Sequence, residues 1–459
     1  MIKHAFAAAM AIVLAGCTVG PEYKRPEVDL PQNYGVGQRP VPAAENWWTL
    51  FHDPALDKLV EEALANNRDL RMAAERIEQS RAQVRIARAG LWPDAGVRFD
   101  ASRSRSSAMT NFPQPPDSLE SSSHRLVLLA QWELDFWGKF RRADEAARAE
   151  LAASEAGRDA IRNGLIGDVA RNYFLLRSLD HRQEWLETTR EGRAKSLELQ
   201  KLRLDAGIVS ELEYRQVESD LRAAIAFVPQ VRQQRVAVEG ALALVLGRSP
   251  RDIMGGAIER GNPQDPGPVE VPSGLPSDLL LRRPDIRQAE EQLHAANARI
   301  GVARAALFPS ITLTGYFGGE STALGDLFTS PARTWSIGAG ILQPLFAGGQ
   351  IRGGIEQTEA RTRELAENYQ KTIANAFREV REAIEAQANL READIAQQER
   401  VRALERTVEL TKLRYDNGAV SLFEYLESDR QLLQARIDAV DVQRARRSSI
   451  VDLYLALGG

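Results

Sequence analysis

Leu91-Trp92-Pro93-Asp94-Ala95-Gly96-Val97-Arg98-Phe99-Asp100-Ala101-Ser102 returns 216 positions later as Leu307-Phe308-Pro309-Ser310-Ile311-Thr312-Leu313-Thr314-Gly315-Tyr316-Phe317-Gly318. The segments before both runs agree as well: Asp69, Glu75, Ala82, Ala87, Arg88 and Ala89 are answered by Asp285, Glu291, Ala298, Ala303, Arg304 and Ala305. Further on, Lys201 to Ser210 (KLRLDAGIVS) reappears as Lys412 to Ser421 (KLRYDNGAVS), now shifted by 211, and Glu213-Tyr214 and Glu424-Tyr425 keep that register. Matches of this length identify a tandem duplication whose halves differ by five residues between Pro93 and Gly138. The halves, 55–246 and 284–457, are joined by the Pro/Gly-rich linker 247–283.

Each half repeats one order of elements. In the first, Ala95, Val97, Phe99 and Ala101 alternate with Gly96, Arg98, Asp100 and Ser102, as a strand with one apolar face requires. Leu126, Leu128, Ala130 and Trp132 do the same on the way back. Ile311, Leu313, Gly315 and Phe317, then Trp335, Ile337, Ala339 and Ile341, repeat the pattern in the second half. Hairpins are expected at about 94–135 and 310–345, with long polar connections from Ser106 to Ser122 and from Glu320 to Thr334. Strands of roughly ten residues suit a tilted membrane crossing, and an ordinary soluble hairpin pair gives the same alternation. Four strands cannot close a barrel, and an open edge in hydrocarbon leaves backbone groups unpaired at a cost of several kcal/mol each. If the strands cross a membrane, copies of the chain must share a barrel, and three copies supply an even count of twelve.

The remainder of each half is helical. After a first helix and the hairpin, no proline interrupts about 138–205 or about 349–416. At 1.5 Å per residue each such helix is about 100 Å long. Tight turns at Asp205-Ala206-Gly207-Ile208 and Asp416-Asn417-Gly418-Ala419 lead to return helices at about 211–246 and 421–457. Leu365, Tyr369, Ile373, Ala376, Val380 and Ala383 recur at spacings of three and four, the stripe of laterally packed helices. The fold class expected is mainly α with a β part, a transmembrane β part if the strands cross a membrane and a soluble hairpin pair if they do not.

The first residues address the compartment. Lys3 and His4 precede an apolar run ending in Leu14-Ala15-Gly16-Cys17, too short to span a bilayer, so 1–16 reads as a lipoprotein signal peptide. Cys17, the only cysteine, is then the lipid attachment site at the head of an extended segment 17–54, with no disulfide possible within one chain. Thr18 in place of aspartate favours sorting to the outer membrane. Lys and Arg number 59 against 63 Asp and Glu, interspersed, which leaves no basic field for nucleic acid.

Catalytic signatures are missing. The chain has no Gly-rich phosphate loop with lysine, no Cys-x-x-Cys and no Gly-x-Ser-x-Gly elbow. His4, His52, His124, His181 and His294 lack any ligand spacing. No enzyme activity, metal or cofactor is expected beyond lipid on Cys17. A coiled-coil rod anchored by lipid is the competing reading.

Combined motifs carry a family resemblance over essentially the whole mature chain. They are Gly16-Cys17 with Pro21, Tyr23 and Pro26; Trp47-Trp48 with Phe51-His52-Asp53-Pro54, Leu56 and Leu59; Trp132-Glu133-Leu134-Asp135-Phe136-Trp137-Gly138; Leu281-Arg282-Arg283-Pro284-Asp285-Ile286; and Gln343-Pro344-Leu345-Phe346 with Gly348-Gly349. The chain resembles the outer membrane factors, TolC-like proteins, and among them the lipidated OprM/NodT branch. That resemblance implies a homotrimer: a twelve-stranded β-barrel in the outer membrane, four strands per chain, continuous with a twelve-helix α-barrel in the periplasm. It implies an exit duct for small solutes handed over by a periplasmic adaptor and an inner membrane transporter, of the resistance-nodulation-division (RND) type given the lipid anchor and Trp-rich block. Type I protein secretion is the alternative duct.

The same resemblance places site residues. Glu424 and Glu427 match the paired aspartates lining the TolC constriction, so three copies imply a ring of six carboxylates at the periplasmic entrance. Glu213 and Tyr415 match an entrance latch whose arginine is here replaced by Val420. The turns imply an adaptor-docking surface at Arg203, Leu204, Gly207, Ile208, Arg414 and Gly418.

Overall fold

The computed structural model describes residues 18–31, 46–109, 119–264 and 276–459. The elements follow the duplication. Helices α1 (Pro54–Asn66) and α2 (Arg68–Ala89) lead to strands β1 (Asp94–Arg105) and β2 (Glu120–Glu133), then to α3 (Lys139–Asp205) and α4 (Glu211–Val245). Two short helices, α5 (Pro250–Gly255) and α6 (Pro276–Arg282), stand in the linker. The second half runs α7 (Pro284–Ala305), β3 (Ser310–Ser321), β4 (Arg333–Leu342), α8 (Gln350–Asp416) and α9 (Leu422–Ala456). Helices α3 and α8 both have 67 residues, and α4 and α9 both have 35. Cys17, expected to carry lipid, and residues 1–16, expected as a signal peptide, lie outside the described residues.

Both connections between strands are shorter than the alternation alone suggested, because polar Glu120 to Arg125 and Glu320-Ser321 continue the ladder. Their backbones pair (Arg105 with Glu120, Arg125 with Glu320) while their side chains break the apolar pattern. The β3–β4 connection also holds 3-10 turns at Leu324–Asp326 and Ser330–Ala332.

The chain divides into two compact units, one of Met1–Glu27, Arg76–Glu155 and Gln288–Gln370, the other of Val28–Glu75, Ala156–Arg287 and Lys371–Gly459. The first holds an antiparallel sheet of order β1-β2-β3-β4. Its duplicated corners repeat in atomic detail. The indole of Trp132 donates to Leu91 O at 3.2 Å, and the amide of Gln343 donates to Leu307 O at 3.1 Å, the matching carbonyl in the second half. Trp137 stacks on Phe308 and donates to Pro309 O at 2.8 Å, tying the end of the first hairpin to the start of the second. Residues 18–25 lie along α7 in this unit: Arg25 grips Glu290 at 2.6 and 2.9 Å, and Tyr23 stacks on His294.

The second unit has the larger core. Trp47, Trp48 and Phe51 pack with Leu56, Val60, Val169, Phe174, Leu242 and Val451, and Trp47 stacks on Tyr454 at 5.6 Å. The Arg283 of the Arg-Arg-Pro-Asp motif is buried, bonding Asp285, Glu379 at 2.8 Å and the carbonyl of Ala456. This motif therefore fixes the start of α7 to α8 and α9, which explains three polar residues together in a helix-packed region. Such partners offset the cost of taking an arginine's charge out of water.

Candidate functional site

The two helix turns are near copies. Gly207 and Gly418 take φ of 70° and 71°, a left-handed conformation that closes a helix end without Cβ strain. In both turns two reverse hydrogen bonds satisfy the last carbonyls: Gly207 and Ile208 donate to Leu204 and Arg203, and Gly418 and Ala419 donate to Tyr415 and Arg414. Ser210 and Ser421 then cap α4 and α9, each accepting from the backbone N–H three residues on, at Glu213 and Glu424.

The two glutamates differ in what their carboxylates do. Glu213 reaches back to the N–H of Ser210 at 2.8 Å, completing a capping box. Glu424 is exposed and its carboxylate takes no hydrogen bond among the described residues. Glu427, one turn along α9, is half-buried; it accepts from Gln431 at 3.1 Å and from Arg430 at 3.4 Å.

The structure does not bring Glu213 and Tyr415 together within the chain. Tyr415 instead accepts from Gln200 at 2.7 Å and from Arg203 at 3.3 Å, both on α3, and stacks on Tyr425 at 6.0 Å. Burial, followed by the charges of Asp429 and Asp416, raises the pKa of Tyr425, so that ring stays neutral as a packing partner. Gln200 and Arg203 are thus the hydroxyl's partners within the chain.

Below this tyrosine pair lies a charged network that sequence reading missed. Arg430 of α9 bonds Asp220 of α4 at 2.8 Å, and Arg193 of α3 bonds Asp429 of α9 at 3.0 Å and the Asp220 carbonyl at 3.0 Å. Asp220 and Arg193 are buried. The two hairpins of one chain are therefore cross-tied in both directions, beside a cleft of about 460 Å³ bounded by Arg193, Asp220, Tyr415 and Asp429. Of these contacts only Glu427–Arg430, at helical spacing of three, was readable locally.

Among the expected docking residues, Gly207, Ile208, Arg414 and Gly418 are exposed, and Arg203 and Leu204 are half-buried. Around them the structure adds an apolar set repeated in both hairpins: Leu199 with Leu410, Leu202 with Leu413, and Leu212 with Phe423. Each is between 43 and 68 % exposed. Six large apolar side chains grouped at helix ends mark a contact surface rather than scattered exposure.

The sheet is two-faced. Cross-strand register places Ala95, Val97 and Phe99 on one face with Leu126, Leu128 and Ala130, Leu313, Gly315 and Phe317, and Trp335, Ile337 and Ala339. Phe317, Trp335 and Ile337 are 62, 70 and 83 % exposed. The opposite face carries Arg98, Asp100, Arg125, Gln131, Thr314 and Tyr316; there Arg98 pairs with Asp100, and Arg125 lies over Tyr316 and near Glu320. An apolar face turned outward and a polar face turned inward is the arrangement of a membrane barrel strand. No helix among the described residues is long and apolar enough to cross a membrane, and no three acidic, His or Cys side chains among them converge as a metal site.

Known proteins share both halves of this chain. The profile of the outer membrane efflux protein family matches residues 59–248 and 275–459, one match on each half. The chain is 33 % identical to the cation efflux system protein CusC of Escherichia coli O6:H1 over 456 residues, covering 98 % of this chain and 97 % of that one. It is 35 % identical to the solvent efflux pump outer membrane protein SrpC of Pseudomonas putida over 463 residues, covering 98 and 96 %. The crystal structure of the Campylobacter jejuni CmeC outer membrane channel superposes with a TM-score of 0.92 at 28 % identity, covering 96 and 95 % of the two chains. Family match, full-length relatives and a shared fold together show that the chain belongs to the outer membrane efflux protein family.

Proposed function

We propose that three copies of this chain close edge to edge, β4 of one against β1 of the next, into a twelve-stranded barrel in the outer membrane that leads into a tube of helices in the periplasm. The observation that carries this reading is the sheet itself: the outer edges of β1 and β4 meet no further strand among the described residues, and its apolar face is exposed. In hydrocarbon both conditions are met only by closure, since each unpaired backbone group costs several kcal/mol. The duct conducts passively and catalyses nothing. Relatives named for cation and for solvent efflux share its length and fold, which supports cargo selection by an inner membrane transporter of the RND type rather than by the duct.

The apolar residues repeated at both turns, with Arg203, Leu204, Gly207, Ile208, Arg414 and Gly418, form the docking surface for a periplasmic adaptor. Glu424 and Glu427 line the entrance, and lipid on Cys17 fastens the chain to the membrane without any cofactor. Planar bilayers test the function: the purified protein is expected to open discrete conductance steps, and repeated insertion without conductance would reject the duct.

A further inference from the structure

The two faces of the sheet treat arginine differently. On the polar face Arg98 has Asp100 at 2.9 Å and Arg125 has Glu320 at 3.7 Å, one acid for each base. On the apolar face, at and beyond the Phe99 end of the apolar band, the described strand residues include three arginines and one acid. Arg103 and Arg105 follow Phe99 and Ala101 on β1, and both approach Glu120, at 2.7 and 4.0 Å. Arg333 opens β4, two residues before Trp335, and lies in line with Phe99, Leu126 and Gly319 across the sheet. Arg103 and Arg105 are 75 and 71 % exposed.

These cations lie at the end of the sheet that bears the strand connections, and they stand on the two edge strands. The central strands carry Ser122, His124, Gly319 and Ser321 on that face instead. On the reading that β4 of one copy meets β1 of the next, Arg333 and the Arg103–Arg105 pair border one seam. A guanidinium presents a planar fork of donors that matches phosphate oxygens. Immediately beyond an apolar band with Phe99, Phe317 and Trp335 at its margin, the chemistry that meets such a fork is the headgroup layer of the outer leaflet.

We propose that Arg103, Arg105 and Arg333 form a phosphate-binding seam that holds phosphorylated lipid headgroups of the outer leaflet against the barrel. The inference rests on the trimeric closure proposed above and adds a ligand to its rim. The excess of cation over acid among the described residues of this face is what distinguishes it from general surface charge.

Full-length protein in mild detergent, titrated with diphosphoryl lipid A and followed by native mass spectrometry, tests this. The variant carrying Arg103→Gln, Arg105→Gln and Arg333→Gln is expected to bind the lipid at least about tenfold more weakly, while binding of the dephosphorylated lipid stays equal in both proteins. Equal retention of the phosphorylated lipid by both proteins overturns the proposal. Complete displacement of the lipid by excess inorganic phosphate would show a simple anion site and overturn it as well. Bilayer conductance, recorded in parallel, separates the two readings. Channels with arginine-independent lipid binding sink this inference alone, and a wild-type protein that forms no channels sinks the duct and the seam together.

Discussion

Arg430 and Asp220 meet at 2.8 Å across the gap between the two hairpins, although 210 residues separate them in the chain. Arg193 returns the tie in the opposite direction by bonding Asp429. The two hairpins are thus tied to each other by a reciprocal charge exchange.

Breaking this exchange should loosen the hairpins. Asp220→Asn is expected to raise single-channel conductance, and a thermal double-mutant cycle with Arg430→Gln should give a coupling of about 1 to 2 kcal/mol. Additive effects of the two substitutions would show that the contact holds nothing.

The carboxylate ring should rest mainly on Glu424. Its carboxylate is free among the described residues, whereas that of Glu427 is shared with Arg430 and Gln431. Glu424→Gln alone is therefore expected to remove most of the block by di- or trivalent cations in bilayer recordings, and Glu427→Gln much less. Equal loss in the two variants would show that Arg430 does not screen Glu427.

Membrane insertion should depend on the face and not on the strand. Leu313→Arg puts a charge inside the apolar band, where about 2 to 4 kcal/mol is lost at mid-depth, and assembled protein in the outer membrane fraction should fall. Thr314→Arg, on the opposite face of the same strand, should insert normally and alter ion selectivity. Identical outcomes would contradict the assignment of the faces.

Tyr173 offers a stability test inside the larger core. Its hydroxyl donates to buried Asp53 at 2.6 Å and accepts from the Gly261 N–H at 2.8 Å. Tyr173→Phe leaves the Asp53 Oδ2 unsatisfied and should cost about 2 kcal/mol, read as a lowered melting temperature. Burial first, then the bond to Asp53, raises the Tyr173 pKa above the ordinary tyrosine value of 10.0. The hydroxyl's contribution is therefore whole below pH 10 and disappears as pH climbs through the raised value. The gap between wild type and variant should accordingly close in strong alkali, and a gap that widened there would reverse the sign.

Much of the fold was legible because duplication and periodicity are local signals. The Leu-Trp-Pro and Leu-Phe-Pro echoes, the alternation along β3 and the Gly207 and Gly418 turns need no tertiary knowledge. The Ser210-x-x-Glu213 spacing is itself a capping-box signature, so the role of Glu213 at the start of α4 could have been read from the residues. Arg193, Asp220, Asp429 and Arg430 could not, because charged residues on long polar helices look alike until packing selects which are buried. The apolar tip residues were hidden for the same reason: Leu202 and Leu413 continue a helical stripe and differ from core leucines only in exposure.

The claim on which all of this depends is that each chain contributes one third of a closed wall. Cysteine pairs in one chain, one in β1 at Phe99 and the other along β4 from Arg333 to Ile341, in lipidated protein whose own Cys17 thiol is blocked, allow edge-to-edge oxidation in native membranes. A ladder of cross-linked species that stops at three chains is the expected result. Products that stop at two, continue past three, or never exceed one would contradict it.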